Sequence, residues 1–107
     1  MLFRSTVNQK VPLPPVIERL EVTHCGSTIE LDWMNSSDST IIRYQVQQIS
    51  LGANFDGLGK KFNVSRNDTS FQFDVHSNTE YMVSIRAENS AGFSPWERRR
   101  ITTKSGN

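Results

Sequence analysis

Seven short stretches of this chain alternate apolar and polar residues with a period of two, and this alternation limits the possible folds more than any other feature of the sequence. They are residues 19–22, 29–33, 42–46, 62–64, 71–75, 81–87 and 98–103. In the second stretch, Ile29, Leu31 and Trp33 alternate with two acidic residues. Such a pattern predicts an antiparallel strand with one face in the core and the other in solvent. No stretch keeps the 3.6-residue period of a helix for long enough, which excludes a helical or α/β domain.

Clusters of turn-forming residues separate the alternating stretches. They lie at residues 24–27, 35–40, 52–59, 66–69, 76–79 and 89–95. Seven short strands with regular turns between them predict an all-β, seven-stranded immunoglobulin-like β-sandwich. The alternation places Ile42 and Phe62 in the core, and Trp33, the largest side chain there, fills the middle between the two sheets.

The length of 107 residues is that of one domain. Residues 1–10 show no periodicity, and three prolines among residues 11–15 favour an extended approach to the domain. Residues 1–13 are therefore predicted to be a linker or flexible tail, and residues 14–105 the domain. No apolar run is long enough to span a bilayer, and the polar start lacks the apolar stretch of a secretory signal peptide, so we expect no direct membrane insertion.

Five segments of the sequence resemble fibronectin type III domains. They are VPLPPVIERLEV, STIELDW, IIRYQV, NTEYMVSIRAENSAGFS and ITT. The most specific parts are Trp33, which ends the second strand, and the pattern Tyr-x-Val-x-Ile-x-Ala-x-Asn from Tyr81 to Asn89. The resemblance implies strands A, B and E in one sheet and C, C′, F and G in the other, lettered in chain order. It also implies a non-catalytic domain that acts as a protein-interaction and spacer module of a larger protein.

Tyr81 opens strand F directly after a corner of the chain. There its hydroxyl can hydrogen-bond back to the preceding segment, an arrangement known as a tyrosine corner. The alternative is that Tyr81 is one more core aromatic. The family usually has a proline before this corner, where this chain has His76 and Ser77. We expect that departure to loosen the loop without changing the fold.

The sequence offers no constellation of residues for catalysis. His24 and His76 fall in predicted turns, and Cys25 is the only cysteine, which excludes an intrachain disulfide and a cysteine-rich metal site. Two glycines have the spacing of a phosphate-binding loop, but Leu58 stands where that loop needs lysine. We expect neither an enzyme nor a cofactor. The sequence contains no Arg-Gly-Asp tripeptide, so that route to integrin binding is not expected either. The net charge of +1 rules out nucleic-acid binding driven by bulk charge.

The outward-facing charges are divided between the two predicted sheets. Strands A, B and E point carboxylates outward, at Glu21, Glu30, Asp32 and Asp74. The other sheet points cations outward, at Arg43, Arg86, Arg98, Arg99, Arg100, Lys60 and Lys61. One interpretation of the resulting acidic and basic faces is that they keep the protein soluble, and we expect the isolated domain to be a monomer. The other is electrostatic steering toward an acidic partner, either a neighbouring domain of the same kind or a sulfated glycan.

Trp96 precedes three arginines and is a second candidate for binding. An exposed tryptophan can stack on a guanidinium group, and cytokine-receptor modules of this fold carry a repeated tryptophan–arginine ladder. Arg86 is the only arginine that strand F points outward, so at most a short version of that ladder is expected. The alternative is that Trp96 covers the end of the sandwich.

Three loops are further candidates for recognition. The C–C′ loop, residues 50–60, carries Phe55 and Leu58, which either fold back onto the domain or offer an apolar contact to a partner. The B–C loop at residues 35–40 and the F–G loop at residues 89–95 lie at one end of the sandwich, where this architecture commonly places recognition.

Asn-x-Ser/Thr sequons bear on the compartment in which the protein works. They begin at Asn35, Asn63 and Asn67, and each could carry sugar if the chain were secreted. Cys25, an unpaired thiol in a predicted loop, argues instead for a reducing compartment. The sequence favours an extracellular or cell-surface location, in a receptor, adhesion or matrix protein. The alternative is a cytoplasmic module, as in cytoskeleton-associated tripartite-motif proteins.

Overall fold

The computed structural model describes residues 10–23, 26–51 and 59–104. Those residues form eight strands: β1 (Ile17–Thr23), β2 (Thr28–Trp33), β3 (Arg43–Ser50), β4 (Lys60–Ser65), β5 (Ser70–Asp74), β6 (Glu80–Asn89), β7 (Gly92–Phe93) and β8 (Glu97–Thr102). One antiparallel sheet has the order β1–β2–β5. In the other, β3 lies between β4 and β6, and both β7 and β8 pair with β6. The predicted all-β fold with its A–B–E and C–C′–F–G sheets is confirmed.

The structure adds one short strand to the seven that were predicted: β7 lies within residues 89–95, which were predicted to be a turn. Pro95 separates β7 from β8, because proline has no backbone N–H to donate to the ladder. Ser94 bridges the interruption with both its backbone and its side chain. Its backbone N–H donates to the carbonyl of Ala87 at 2.8 Å, and its hydroxyl accepts from the backbone N–H of Ala87 at 2.9 Å. The chain therefore stays attached to β6 where it turns from β7 into β8.

The core lies between the two sheets and is centred on Trp33. The indole is 1% exposed, and its centroid lies 5.5 Å from the ring centroid of Tyr44. Burial raises the pKa of Tyr44, an effect that the backbone of Ser36 partly offsets by hydrogen bonding. The other buried apolar residues come from both sheets and from the approach to β3: Ile29, Leu31, Ile41, Val46, Val64, Phe73, Tyr81, Val83, Ile85 and Ala87.

Two residues that were predicted to be in the core are only partly buried. Ile42 is 46% exposed, whereas Ile41 is 3% exposed, because regular pairing starts only at Arg43 and the alternation does not extend back through the preceding turn. Phe62 is 38% exposed, because β4 is an edge strand where the sandwich is open. Its ring instead contacts Phe71 in the facing sheet, with 5.0 Å between centroids.

The corner before β6 is held from two sides rather than loosened. The Tyr81 hydroxyl accepts a hydrogen bond from the backbone N–H of His76 at 2.8 Å, which is the geometry of a tyrosine corner. Thr103, which is fully buried, donates its hydroxyl to the His76 carbonyl at 2.6 Å and accepts from the backbone N–H of Thr79 at 3.0 Å. These bonds fix the segment between β5 and β6 at its corner.

Candidate functional site

The outer face of the five-stranded sheet brings most of the predicted cations together. Residues that lie opposite each other on neighbouring strands share a face. Gln47 lies opposite both Lys61 and Ser84, and Ser84 lies opposite Arg98, so one row across four strands has a cation at each end. We call this surface, with Lys61, Arg86, Arg98 and Arg100, the cationic face.

The strand β8 divides its three arginines between two directions. Arg100 lies opposite Met82 and shares the cationic face with Arg98, whereas Arg99 lies opposite Val83, whose side chain is in the core. Arg99 therefore faces the other side of the strand, where its guanidinium group contacts the Glu97 carboxylate. The prediction of three outward arginines on this face is wrong for Arg99, because strand alternation allows only every second one.

Arg86 is the most constrained cation on this face. Its guanidinium carbon lies 3.7 Å from the ring centroid of Phe93 and 4.2 Å from that of Trp96. Its Nε and Nη2 donate to Oε1 of Gln45 at 2.9 and 2.7 Å, and Nε2 of Gln45 donates to Oδ1 of Asn63 at 3.0 Å. Burial lowers the pKa of Arg86, an effect that Glu88 opposes. The result is a fixed positive charge between aromatic rings and an amide network.

Trp96 thus stacks on Arg86, as in the short ladder considered above, and Phe93 is an aromatic partner that the sequence analysis missed. Phe93 pairs with Glu88 at the end of β6, and Arg86 precedes Glu88 by two residues on the same face. The signal in the sequence was the three-residue spacing between Phe93 and Trp96. In an unbroken strand this spacing would put the two rings on opposite faces, but Pro95 breaks the strand between them.

Replacing Arg86 with lysine is expected to lower the free energy of unfolding by about 1–2 kcal/mol. An ammonium group keeps the charge but has no plane to lie over the rings and cannot bond Gln45 through two fixed nitrogens. The measurement is urea unfolding, and the matched control is Arg98→Lys on the same face, which should change stability by less than about 0.5 kcal/mol. Equal effects of the two substitutions would contradict the stacked geometry.

The remaining cations differ in how available they are. Arg43 is paired with Glu88 at 2.5 Å, and Arg100 lies 3.7 Å from Glu80. Arg98 and Lys61 are exposed and form no ion pair with another described residue. Lys60 is also exposed but lies opposite Gln48, a buried residue, and so is not on the cationic face. Among the described residues, the remaining cations of this face that have no ion-pair partner are therefore Arg98 and Lys61.

The outer face of the three-stranded sheet is not uniformly acidic, contrary to the prediction. Arg19, on the edge strand β1, contacts three carboxylates, those of Glu21, Glu30 and Asp32, each at 2.7 Å. The hydrogen bond to Asp32 is the main reason that the pKa of Arg19 is raised. These exposed pairs add little to stability, but they neutralise the middle of the face. Asp74 is left apart from the cluster, on β5.

The end of the sandwich with the B–C and F–G loops also carries the chain that leads into β1. Asn89 donates its Nδ2 to the Lys10 carbonyl at 2.8 Å and to the Thr40 hydroxyl at 3.1 Å. Residues 10–13, which the sequence analysis assigns to the tail, therefore contact the domain. Leu13 is 84% exposed beside an apolar cleft of about 220 Å³.

The other predicted site residues fall into two groups. The sequon residues Asn35, Asn63 and Asn67 are all exposed. Phe55 and Leu58, together with Cys25 and His24, lie outside the described residues. Within the described ranges, no three His, Cys, Asp or Glu side chains are grouped to hold a metal ion, and no helix is long and apolar enough to cross a membrane.

Comparison with known proteins gives one family and many structures. The sequence profile of the fibronectin type III domain matches residues 14–103. The fold is similar to the FN1–FN3 domains of chicken CNTN1 (TM-score 0.75, 21% identity, 90% of this chain and 32% of that one). It is also similar to the fn3 domain of human contactin 1 (TM-score 0.76, 20% identity, 96% of this chain and 89% of that one). A third similar structure is the fn3 domain of the human collagen alpha-1(XX) chain (TM-score 0.73, 16% identity, 96% of this chain and 95% of that one).

At these identities the structural similarity shows the fold alone. This chain spans about a third of the chicken CNTN1 chain, which contains three such domains. A search of curated proteins gives no significant match.

Proposed function

Since the chain belongs to the fibronectin type III family, we propose that it is a non-catalytic interaction and spacer module of a larger protein, and that its cationic face binds an acidic partner. Domains of this family are typically such modules. The observation that carries the proposal is the cationic face itself, on which the fixed charge of Arg86 lies beside the unpaired charge of Arg98.

The arrangement of this face favours binding over mere solubility. Aromatic and arginine side chains are the types enriched where proteins contact each other. Phe93 is 39% exposed and Trp96 is half-buried, so the stack offers an apolar surface beside its charge. Positive charge around that surface speeds the approach of an acidic partner and sets its orientation. The partner we propose is an acidic protein surface, such as a neighbouring domain, or a sulfated glycan that presents the same charge.

We place this module in an extracellular or cell-surface protein, such as a receptor, adhesion or matrix protein. The exposure of all three sequon asparagines supports this location, because an N-linked glycan requires an acceptor that faces solvent in the folded domain. Cys25, on which the cytoplasmic alternative depends, lies outside the described residues.

Heparin, a sulfated polyanion, serves as the probe of the cationic face. The double substitution Arg98→Ala with Arg100→Ala is expected to weaken heparin binding about tenfold at low salt, because each exposed ionic contact contributes up to about 1 kcal/mol. The measurement is the dissociation constant for immobilised heparin at several salt concentrations. The double variant should also give a shallower dependence on salt, since fewer counterions are released.

The matched control is Arg66→Ala with Arg99→Ala. It removes the same charge from the turn after β4 and from the opposite side of β8. We expect this control to bind heparin within about twofold of the wild type, because the screened charges away from the face contribute little. Equal losses in the two double variants would show that total charge governs the binding, and the proposed site would be wrong.

A further inference from the structure

The sequon asparagines lie on the β4 edge strand or beside it, three strands away from Arg98 on β8. Asn63 is on β4, an edge strand, and Asn67 is in the turn that follows it, where the backbone N–H of Asp68 donates to the Ser65 carbonyl at 3.0 Å. Asn35 lines the same polar cleft as Asn67. The strands β3 and β6 separate β4 from β8, which places Arg98 roughly 14 Å from the β4 edge.

The side chain of Asn63 is oriented by a hydrogen bond. Its Oδ1 accepts from Nε2 of Gln45 on β3, at 3.0 Å. The atom of Asn63 that takes part in this bond is the carboxamide oxygen and not Nδ2. Because an N-glycan is attached through Nδ2, modification of the asparagine leaves the oxygen that accepts this hydrogen bond unchanged.

Asn67 is open for a different reason. Its backbone N–H donates to the Ser65 hydroxyl at 3.2 Å, while its side chain makes no hydrogen bond to another described residue. The residue is exposed in a reverse turn, the kind of surface position where a bulky modification meets no neighbour. Modification there disturbs neither sheet.

We propose that Asn63 and Asn67 are N-glycosylation sites whose sugars cover the β4 edge and leave the arginines of β8 uncovered. This inference rests on the proposed extracellular location. The transfer forms a bond between Nδ2 and the anomeric carbon of the sugar. It breaks the bond between that carbon and a lipid-linked pyrophosphate donor, which leaves with the Nδ2 proton. Edge strands are liable to pair with other chains, and β4 is exposed at five of its six residues, including Phe62.

The test is to secrete the whole chain from eukaryotic cells behind a cleavable signal peptide and to remove glycans with peptide-N-glycosidase in ¹⁸O water. Each occupied asparagine then becomes a labelled aspartate, which peptide mass mapping assigns to a single residue. We expect label at both Asn63 and Asn67, and Asn63→Gln should remove one glycan from the intact mass. The inference would be overturned by folded secreted protein in which Asn63 carries no glycan, or in which Asn67 carries none.

A second measurement tests the position of the glycans. The same sequence made in bacteria carries none, and its dissociation constant for heparin should agree within twofold with that of the secreted protein. A larger difference would show that the sugars reach the arginines of β8 and would overturn the inference. If the bacterial protein does not bind heparin at all, the proposed function fails, and glycan mapping alone decides this inference.

Discussion

Replacing Trp33 with alanine is expected to lower the free energy of unfolding by about 4 kcal/mol, the largest effect of any substitution considered for this domain. The indole is 1% exposed and contacts Tyr44, and it lies on β2, between the two other strands of its sheet. Its removal leaves a cavity that a close-packed core refills only in part. The measurement is urea unfolding followed by circular dichroism, which does not depend on the lost tryptophan.

Trp33→Phe is the matched control, and we expect it to cost only about 1–2 kcal/mol. The indole Nε1 is buried and has no hydrogen-bond partner in the part of the chain that the structure describes. Phenylalanine therefore removes a group whose burial is itself unfavourable and refills most of the volume. If alanine and phenylalanine were equally destabilising, or if alanine cost less than about 1 kcal/mol, Trp33 would not be the centre of the core.

The alternation in the sequence predicted this core well wherever a strand is regular on both sides. Leu31 and Trp33 are buried because β2 pairs with a strand on each side. Pairing on both sides fixes which face of the sheet each side chain occupies. The same reasoning failed for Ile42 and Phe62, at the start of one strand and on the edge of a sheet. At such places the exposure of a side chain depends on what lies beyond the strand, and a local pattern contains no information about that.

Most of the cations of the candidate site were predictable one by one, but the network that joins them was not. The positions of Arg86 and Trp96 suggested a stack, whereas the bond between Gln45 and Arg86 depends on the register of β3 against β6. That register brings together residues 41 positions apart in the chain. Arg19 was missed among its carboxylates for the same reason, because alternation shows which face a side chain occupies but not its neighbours across strands.

Buried polar residues were the least visible part of the fold. Thr103 and Ser94 look like ordinary surface or turn residues in the sequence, yet each satisfies backbone groups at a point where strand pairing stops. Buried polar groups are stable only when they are hydrogen-bonded. Such residues therefore mark irregular places that hydrophobic periodicity does not detect.

Replacing Gly26 with alanine is expected to lower the free energy of unfolding by about 3 kcal/mol. Gly26 has a φ of 89°, in the left-handed region that disfavours side chains. A Cβ at this position would lie 2.2 Å from the carbonyl oxygen of Lys104, so the backbone after β8 would have to move. The close approach fixes the segment after β8 against the turn before β2, which is a long-range contact that the sequence presents only as one glycine in a turn.

Gly92→Ala separates the two causes, because Gly92 also has a positive φ, 138°, but its Cβ would meet only a side-chain methyl of Val11, at 3.3 Å. That side chain can shift, so we expect a loss of about 1 kcal/mol, mostly from the backbone conformation. Urea unfolding of both variants measures the difference. If the two alanine substitutions cost the same, the contact between Gly26 and the Lys104 carbonyl is not part of the folded protein, and the end of β8 is held by Thr103 alone.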